Sequence, residues 1–350
     1  MLQSINNNSF QYNSIYRIPF QAQLNNSSGI FNENMVSGDL KTDQFVLAKN
    51  KDEKKLSTTQ KVGIGAVIIT LAGIIAASVL SKGKKTNISS EQATKLKELV
   101  SSGKIDEKYL EIFQSTKHLS GDNFIREAYN KISKLLGYEN TAPELKIINS
   151  YTSGGSNTSS IVVSTKSFET KTKQFRVIRH ELEHFRQSEM IYRAFGKDAY
   201  IEAKLAPSVE RLRLNDDYCK SCFGKTFKEL SAEELAQYKE NAAKEIESKV
   251  EILEKVLQNK GKIEQGTPEY LEAQKYLDAA KNYKTPTMVL GKDATPEYIR
   301  ELKKTNPEKF KFAQQIFQEY KNNALEVGAV EQETKIKNMY ELFLSVINAK

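Results

Sequence analysis

Residues 175–187, FRVIRHELEHFRQ, decide how the rest of the chain is interpreted. Apolar residues recur through this stretch and beyond it at helical spacing, which predicts a helix over residues 173–195. His180 and His184 are four residues apart, so their side chains lie one above the other on one face of that helix. The stretch therefore predicts two imidazole ligands that the helix itself brings together.

The residue types around this histidine pair are those of a hydrolytic zinc site. Imidazole nitrogens bind zinc at ~2.0–2.1 Å, and zinc lowers the pKa of its water towards ~7. Glu181 lies one step round the helix from His180, so it flanks the metal and can take a proton from that water. We predict Zn²⁺ as the cofactor, His180 and His184 as its ligands, and Glu181 as the general base in peptide-bond hydrolysis.

A catalytic zinc site needs a third protein ligand and leaves the fourth position to water. No third histidine follows His184 in the helix, so the ligand is expected to be a carboxylate. Glu326 is the first candidate, because small Ala329 follows it by three residues and lets its helix approach closely. Glu331 is the alternative and Glu333 a further rival. Weaker candidates for stabilising an oxyanion are His118, Tyr320 and Tyr340.

At these residues the chain resembles the zincin metallopeptidases, and in particular their gluzincin-like branch. There, a His-Glu-x-x-His helix is followed by a downstream helix that carries Glu-x-x-Ala, Glu-x-x-Ser or Glu-x-x-Asp. The likeness covers residues 145–193 and 322–333, and it implies Glu326 as the third ligand. It also implies an upstream strand that aligns an extended peptide substrate, here SSIVVS with Ser159, Ile161 and Val163 along it.

Two other interpretations of the histidines stay open. In one, they lie on a surface helix and pair with carboxylates such as Glu183. In the other, they form a closed structural zinc site with Cys219 and Cys222, which leaves no position for water. Both make the protein a non-catalytic, membrane-anchored helical scaffold. The two cysteines, as Cys-x-x-Cys, also suit a redox pair, although no βαβ context surrounds them.

The fold class follows from the periodicity of the rest of the chain. Two β-branched runs, LKIINS and SSIVVS, are separated by Gly154-Gly155 and predict a β-hairpin over residues 145–164. Most other segments have helical spacing, including a long arm over 231–257 and a third-ligand helix over 307–348. We therefore predict a mainly α domain with a small β-hairpin, an α+β zincin-like catalytic domain over residues 89–350.

The N-terminal part predicts a membrane anchor. Residues 62–80, VGIGAVIITLAGIIAASVL, carry no charge and as a helix at ~1.5 Å per residue would span the ~30 Å hydrocarbon layer. We predict a single transmembrane helix over 62–81 behind a disordered polar tail over 1–60. Lysines flank the span on both sides, so the side of the catalytic domain stays undecided. Gly73 and Ala77 permit a homodimeric helix contact.

Composition limits the other functional classes. The chain has 350 residues, and its 52 basic and 44 acidic side chains are interspersed, with a formal charge of +8. No nucleic-acid-binding signature accompanies that modest positive charge, so a peptide or protein substrate is the expected partner, not a nucleic acid. Only two cysteines occur, which excludes a disulfide-dense scaffold.

Overall fold

The computed structural model describes residues 88–149, 155–156, 159–291, 294 and 296–349. Within these ranges the chain forms two compact units. One contains Thr116–Asn338, and the other contains the described residues of Ser27–Ser115 together with those of Met339–Lys350. All the residues of the predicted metal site lie in the first unit.

Twelve α-helices and three short strands form the described parts of the chain. The first three helices and the strands are α1 (Ser90–Ser101), α2 (Glu107–Thr116), α3 (Gly121–Leu135), β1 (Glu144–Ile148), β2 (Gly155–Ser156) and β3 (Ser160–Ser164). The next helices are α4 (Lys171–Leu214), α5 (Asp216–Phe223), α6 (Ala232–Glu247), α7 (Val250–Lys260) and α8 (Pro268–Lys281). The last four are α9 (Pro286–Leu290), α10 (Pro296–Thr305), α11 (Pro307–Asn322) and α12 (Ala324–Ile347).

The predicted hairpin over 145–164 is wrong, because its two β-branched runs are parallel neighbours. The strand order is β1-β3-β2, and the parallel register pairs Leu145 with Ile161. Parallel strands need a crossover connection, and the Gly- and Asn-rich segment supplies it. That segment contains β2, which pairs antiparallel with β3 and places Ser156 opposite Ile161. Gly155, one of the two glycines that favoured a hairpin turn, therefore lies in β2.

This sheet also changes the role predicted for SSIVVS. β3 has β1 on one side and β2 on the other, so it is the middle strand and not an edge. The side chains of Ile161 and Val163 are fully buried. A peptide that added to β3 would have to displace β2 at Ile161 and Val162, where the two strands are paired. Ser159, Ile161 and Val163 therefore do not lie along a free edge to which an extended peptide could add.

The predicted fold class is also corrected with respect to the membrane. No helix in the described ranges is both long and apolar enough to cross a bilayer. The predicted span over 62–81, the polar tail over 1–60 and the pair Gly73 and Ala77 all lie outside those ranges. The described chain is mainly helical with a mixed three-stranded sheet, and it does not include a transmembrane helix.

Helix α4 is the central element of the first unit. Thr170 caps its start by accepting a hydrogen bond from the backbone N–H of Lys173. The helix is broken at Gly196, whose φ of 83° and ψ of −176° are not helical. Such a φ favours glycine, which has no Cβ to clash. The segment before the break contains the predicted metal helix over 173–195 and is buried on nearly every face.

The neighbours of α4 explain why this segment is buried. It packs against β2 and β3, against α3, and against the helices α5 to α9. Phe175 meets Phe124 of α3 edge to face, and Phe185 meets Tyr138 in the same way, with 5.0 Å between ring centroids in both pairs. The histidine pair thus lies on a helix whose position is determined from all sides, which limits its freedom to move.

Two of the predicted long helices are divided in the structure. The arm over 231–257 consists of α6 and α7, which are separated between Glu247 and Val250. The helix over 307–348 consists of α11 and α12, which are separated at Asn323 (φ −63°, ψ 134°). The amide oxygen of Asn323 then accepts from the N–H of Leu325 and begins α12. This second break places Glu326 in the first turn of a new helix.

The second unit contains α1, α2 and the end of α12. Phe113 is fully buried there, with its ring 5.0 Å from that of Tyr340 and 5.7 Å from that of Phe343. The amide of Gln92 donates to the carbonyl oxygens of Ile347 and Ala349, which ties α1 to the chain terminus of α12. This unit holds Tyr340 by aromatic packing.

Candidate metal centre

Three ligand atoms from two helices converge in the first unit. Nε2 of His180 lies 3.2 Å from Nε2 of His184. The carboxylate of Glu326 faces both, with Oε2 3.8 Å from the first nitrogen and Oε1 3.5 Å from the second. Among the described residues, this is the group of three whose ligand atoms come close enough to hold one metal ion.

These spacings suit a tetrahedral ion. Two ligands at ~2.0–2.1 Å from a tetrahedral zinc lie ~3.3 Å from each other. The three measured separations, 3.2, 3.5 and 3.8 Å, lie within about 0.5 Å of that value, and the two longer ones end at different oxygens of Glu326. Three donors of type His₂Glu would leave one position open, which is the arrangement of a catalytic and not a closed structural zinc site.

A carboxylate contacts the ring of His180 at Nδ1, the nitrogen that does not face the other two candidate ligands. Nδ1 of His180 is 3.1 Å from Oε2 of Glu333, which lies about two turns further along α12 than Glu326. The other oxygen of Glu333 accepts from Nε of Arg176 at 2.7 Å and from its Nη2. A hydrogen on Nδ1 that is donated to Glu333 leaves the lone pair on Nε2, the atom that faces Glu326. Such outer partners orient metal-binding histidines and raise their basicity.

A neutral amide holds the ring of His184. Nδ1 of His184 is 3.0 Å from Oε1 of Gln187, one turn further along α4. The amide orientation is fixed, because Nε2 of Gln187 donates to the carbonyl oxygen of Leu325 at 2.8 Å. Oε1 must then accept, so Nδ1 of His184 carries the hydrogen and its Nε2 carries the lone pair. The two rings therefore present the same kind of ligand atom to the site.

Two tyrosine hydroxyls hold the carboxylate of Glu326. Tyr283, which follows α8, donates to Oε1 of Glu326, and Tyr320 of α11 also hydrogen-bonds to this carboxylate. The side chain of Glu326 is 5% exposed, so these bonds replace those that water would make. Burial raises the pKa of Glu326, but the histidine charges and the tyrosine bonds lower it overall.

Glu181 has a buried carboxylate oxygen without a hydrogen-bond partner among the described residues. The residue is 2% exposed, and Oε1 has no hydrogen-bond partner among the described residues. A buried carboxylate oxygen without a partner costs stability, so its presence calls for a reason. A general base that accepts a proton from water needs such an oxygen.

Carboxylates place negative charge near both histidines. Burial lowers the pKa of His180, but the hydrogen bond of Glu333 and the charges of Glu181 and Glu326 raise it to about 9. For His184, burial dominates and lowers the pKa. Arg176 offsets Glu333, which leaves the carboxylates of Glu181 and Glu326 beside the histidines. These negative charges favour a positive charge on the ring of His180.

The remaining candidates lie elsewhere. Glu331 is exposed on α12, outside the group of three, and His118 is exposed between α2 and α3. Glu183 accepts from Arg179 and Arg186, each at 2.8 Å, so it does not pair with the histidines. Cys219 and Cys222 are free thiols on α5 and are not part of the metal group. Burial raises the pKa of Cys219.

Comparison of this chain with family models, with curated proteins and with solved structures gives no match in any of the three. The likeness to the zincins therefore rests on the sequence motif alone.

The sequence did not indicate which residues hydrogen-bond to the three candidate ligands. Glu333 was predicted as a rival ligand and Tyr320 as an oxyanion group, but they bond to His180 and Glu326. Gln187 lies one turn beyond His184, so a helical wheel would have found it. Nothing local indicates Tyr283, which reaches Glu326 from a different part of the chain.

Proposed function

We propose that this protein is a zinc-dependent peptidase that hydrolyses peptide bonds. The observation that carries the proposal is the convergence of the two Nε2 atoms and the carboxylate of Glu326. Glu181, next to His180 in the sequence, adds a buried Oε1 without a hydrogen-bond partner among the described residues. His180, His184 and Glu326 are the proposed zinc ligands, and the resemblance to the gluzincin-like group supports the same three residues.

When bound, zinc polarises a carbonyl group and makes water a stronger acid at neutral pH. Glu181 takes the proton that water loses as it attacks the carbonyl, and then delivers that proton to the leaving amine. Its burial supports this role, because Oε1, which has no hydrogen-bond partner among the described residues, stays available for the proton. Tyr283 and Tyr320 keep Glu326 from turning away to other donors.

Metal content of the purified full chain is the first test. We expect one zinc per chain, and we expect His180→Ala, His184→Ala and Glu326→Gln each to lose it. Two variants serve as matched controls: His118→Ala removes the exposed histidine, and Glu331→Gln changes the exposed carboxylate on the same helix as Glu326. Both are expected to keep the metal. Wild-type protein without zinc above background would refute the proposal.

Glu181→Gln separates catalysis from metal binding. The amide keeps the shape of the side chain but cannot accept a proton as a carboxylate does, so zinc should stay and hydrolysis should fall. General acid–base groups typically contribute about 10²–10⁴-fold. Cleavage of a quenched fluorescent peptide library, read alongside zinc content, measures both. A zinc-loaded wild type that cleaves nothing, or a Gln variant that cleaves equally well, would favour the non-catalytic scaffold.

A further inference from the structure

Gly328 lies in the second turn of α12, where this helix meets α4 and α8. A methyl group on its Cα would lie 3.0 Å from Nε2 of Gln187 and 3.3 Å from the hydroxyl of Tyr276. Atoms in ordinary van der Waals contact stay at about 3.5–4.0 Å. Any side chain at position 328 would therefore push against these two groups, and glycine lets the helices approach this closely.

Gln187 has little room to yield. Its Nε2 donates to the carbonyl oxygen of Leu325 at 2.8 Å, and its Oε1 lies 3.0 Å from Nδ1 of His184. Both ends of the amide are in use, so a shift away from position 328 must lengthen at least one of the two bonds. The bond to His184 is the one that matters for the metal centre.

The local backbone does not account for this glycine. Gly328 lies inside a helix of 24 residues, and glycine is among the poorest helix formers, whereas alanine is the best. Its φ is not in the left-handed region, unlike that of Gly196. The residue therefore lowers the intrinsic stability of α12, and space beside Gln187 and Tyr276 is the compensating requirement.

We propose that Gly328 is a positioning residue of the metal centre, because its missing side chain lets Gln187 hold the ring of His184. Held in this way, Nδ1 carries the hydrogen and the lone pair of Nε2 points at His180 and Glu326. The inference rests on the proposed function in that His184 is taken as a zinc ligand.

Gly328→Ala in the full chain tests this role. The control is Val327→Ala, one residue away on the same helix, because Val327 is 36% exposed. We expect Gly328→Ala to weaken zinc binding by about tenfold or more, as losses of outer partners do. We also expect the ¹⁵N shifts of the His184 ring, recorded after removal of metal by a chelator, to show loss of the single Nδ1–H tautomer. Val327→Ala should change neither.

A purely structural glycine would behave differently. Because alanine is the better helix former, Gly328→Ala would then leave zinc affinity and the His184 tautomer unchanged, whatever its effect on the melting temperature. That result would overturn the proposal. If wild-type protein binds no zinc, the proposed function fails, but the tautomer of His184 in the wild type and in Gly328→Ala still decides the role of Gly328.

Gln187→Ala completes the test and covers the case in which Gly328→Ala alone does not fold. It removes both hydrogen bonds and also the atom that the new methyl group would meet. We expect Gln187→Ala to weaken zinc binding by itself, and Gly328→Ala to add less than twofold in that background. An equal further loss in both backgrounds would mean that Gly328 acts through Tyr276 and not through Gln187, which would refute the proposal.

Discussion

Replacing Glu333 by glutamine is expected to weaken zinc binding without removing a ligand. Glu333 lies 3.1 Å from Nδ1 of His180 and is bonded on its other oxygen to Arg176. Glutamine keeps an acceptor for Nδ1 but removes the negative charge, so the charge of Arg176 is no longer offset near the metal. Mutation of a residue that hydrogen-bonds to a metal ligand typically lowers metal affinity by about 10–100-fold. We expect about tenfold, or about 1.4 kcal/mol, for glutamine and a value nearer the upper end for alanine.

Competition with a fluorescent zinc chelator measures this change, with Glu331→Gln as the exposed control on the same helix. A second measurement checks the cause. The hydrogen bond of Glu333 is the largest of the interactions that raise the pKa of His180 to about 9, so NMR titration of the metal-free variant should give a lower pKa. If that pKa falls while zinc affinity stays within twofold of the wild type, Glu333 does not strengthen zinc binding through His180.

Three further predictions concern the protonation of His180, the start of α12 and the buried carboxylate of Glu189. Because the pKa of His180 is raised to about 9, a proton competes with zinc for Nε2 below that pH, and the apparent affinity should rise about tenfold per pH unit up to it; a constant affinity from pH 6 to 8 would contradict this. Asn323→Ala removes the cap of α12 and should cost about 1 kcal/mol in urea unfolding, whereas exposed Asn322→Ala should cost under about 0.5. Tyr138→Phe removes a buried donor from Glu189 and should cost about 1–3 kcal/mol of unfolding free energy with zinc affinity unchanged; a changed affinity at equal stability would contradict a structural role.

The sequence predicted best what depends on one helix. His180, Glu181 and His184 lie within one turn and a half, so their arrangement follows from helical geometry alone. Glu326 was found from a short pattern, Glu followed by a small residue, because that pattern describes a close helix contact. The structure brings His180, His184 and Glu326 together.

The sheet could not be predicted from its strands. Runs of β-branched residues suit parallel and antiparallel neighbours equally well, and the glycines between them were consistent with a hairpin turn. Only β2, two residues long, shows by its pairing with β3 that β3 is the middle strand and that β1 lies on the other edge. Such a short strand has too few side chains to leave a periodic signal.

The sequence contains a signal for the break at Asn323, but a stronger signal for a continuous helix surrounds it. Asn323 is followed three residues later by Glu326, which is the spacing of a helix N-cap with an acidic third residue. Strong helical periodicity on both sides of it favoured one continuous helix. The contacts of Tyr283 and Gln187 are harder to predict from the sequence. They join residues that become neighbours only when α4, α8 and α12 pack together.

The break at Asn323 and the distance of α12 from α4 along the chain also bear on the order of folding. His180 and His184 are adjacent as soon as one helix forms, but Glu326 joins them only after a long loop closes. The entropy of closing a flexible loop grows with the logarithm of its length, about 0.6 kcal/mol per doubling, so a distant third ligand costs little at equilibrium. Its cost is kinetic, because non-local contacts form slowly. Tight metal capture should therefore be a late event, and its rate in refolding experiments would report when α12 docks.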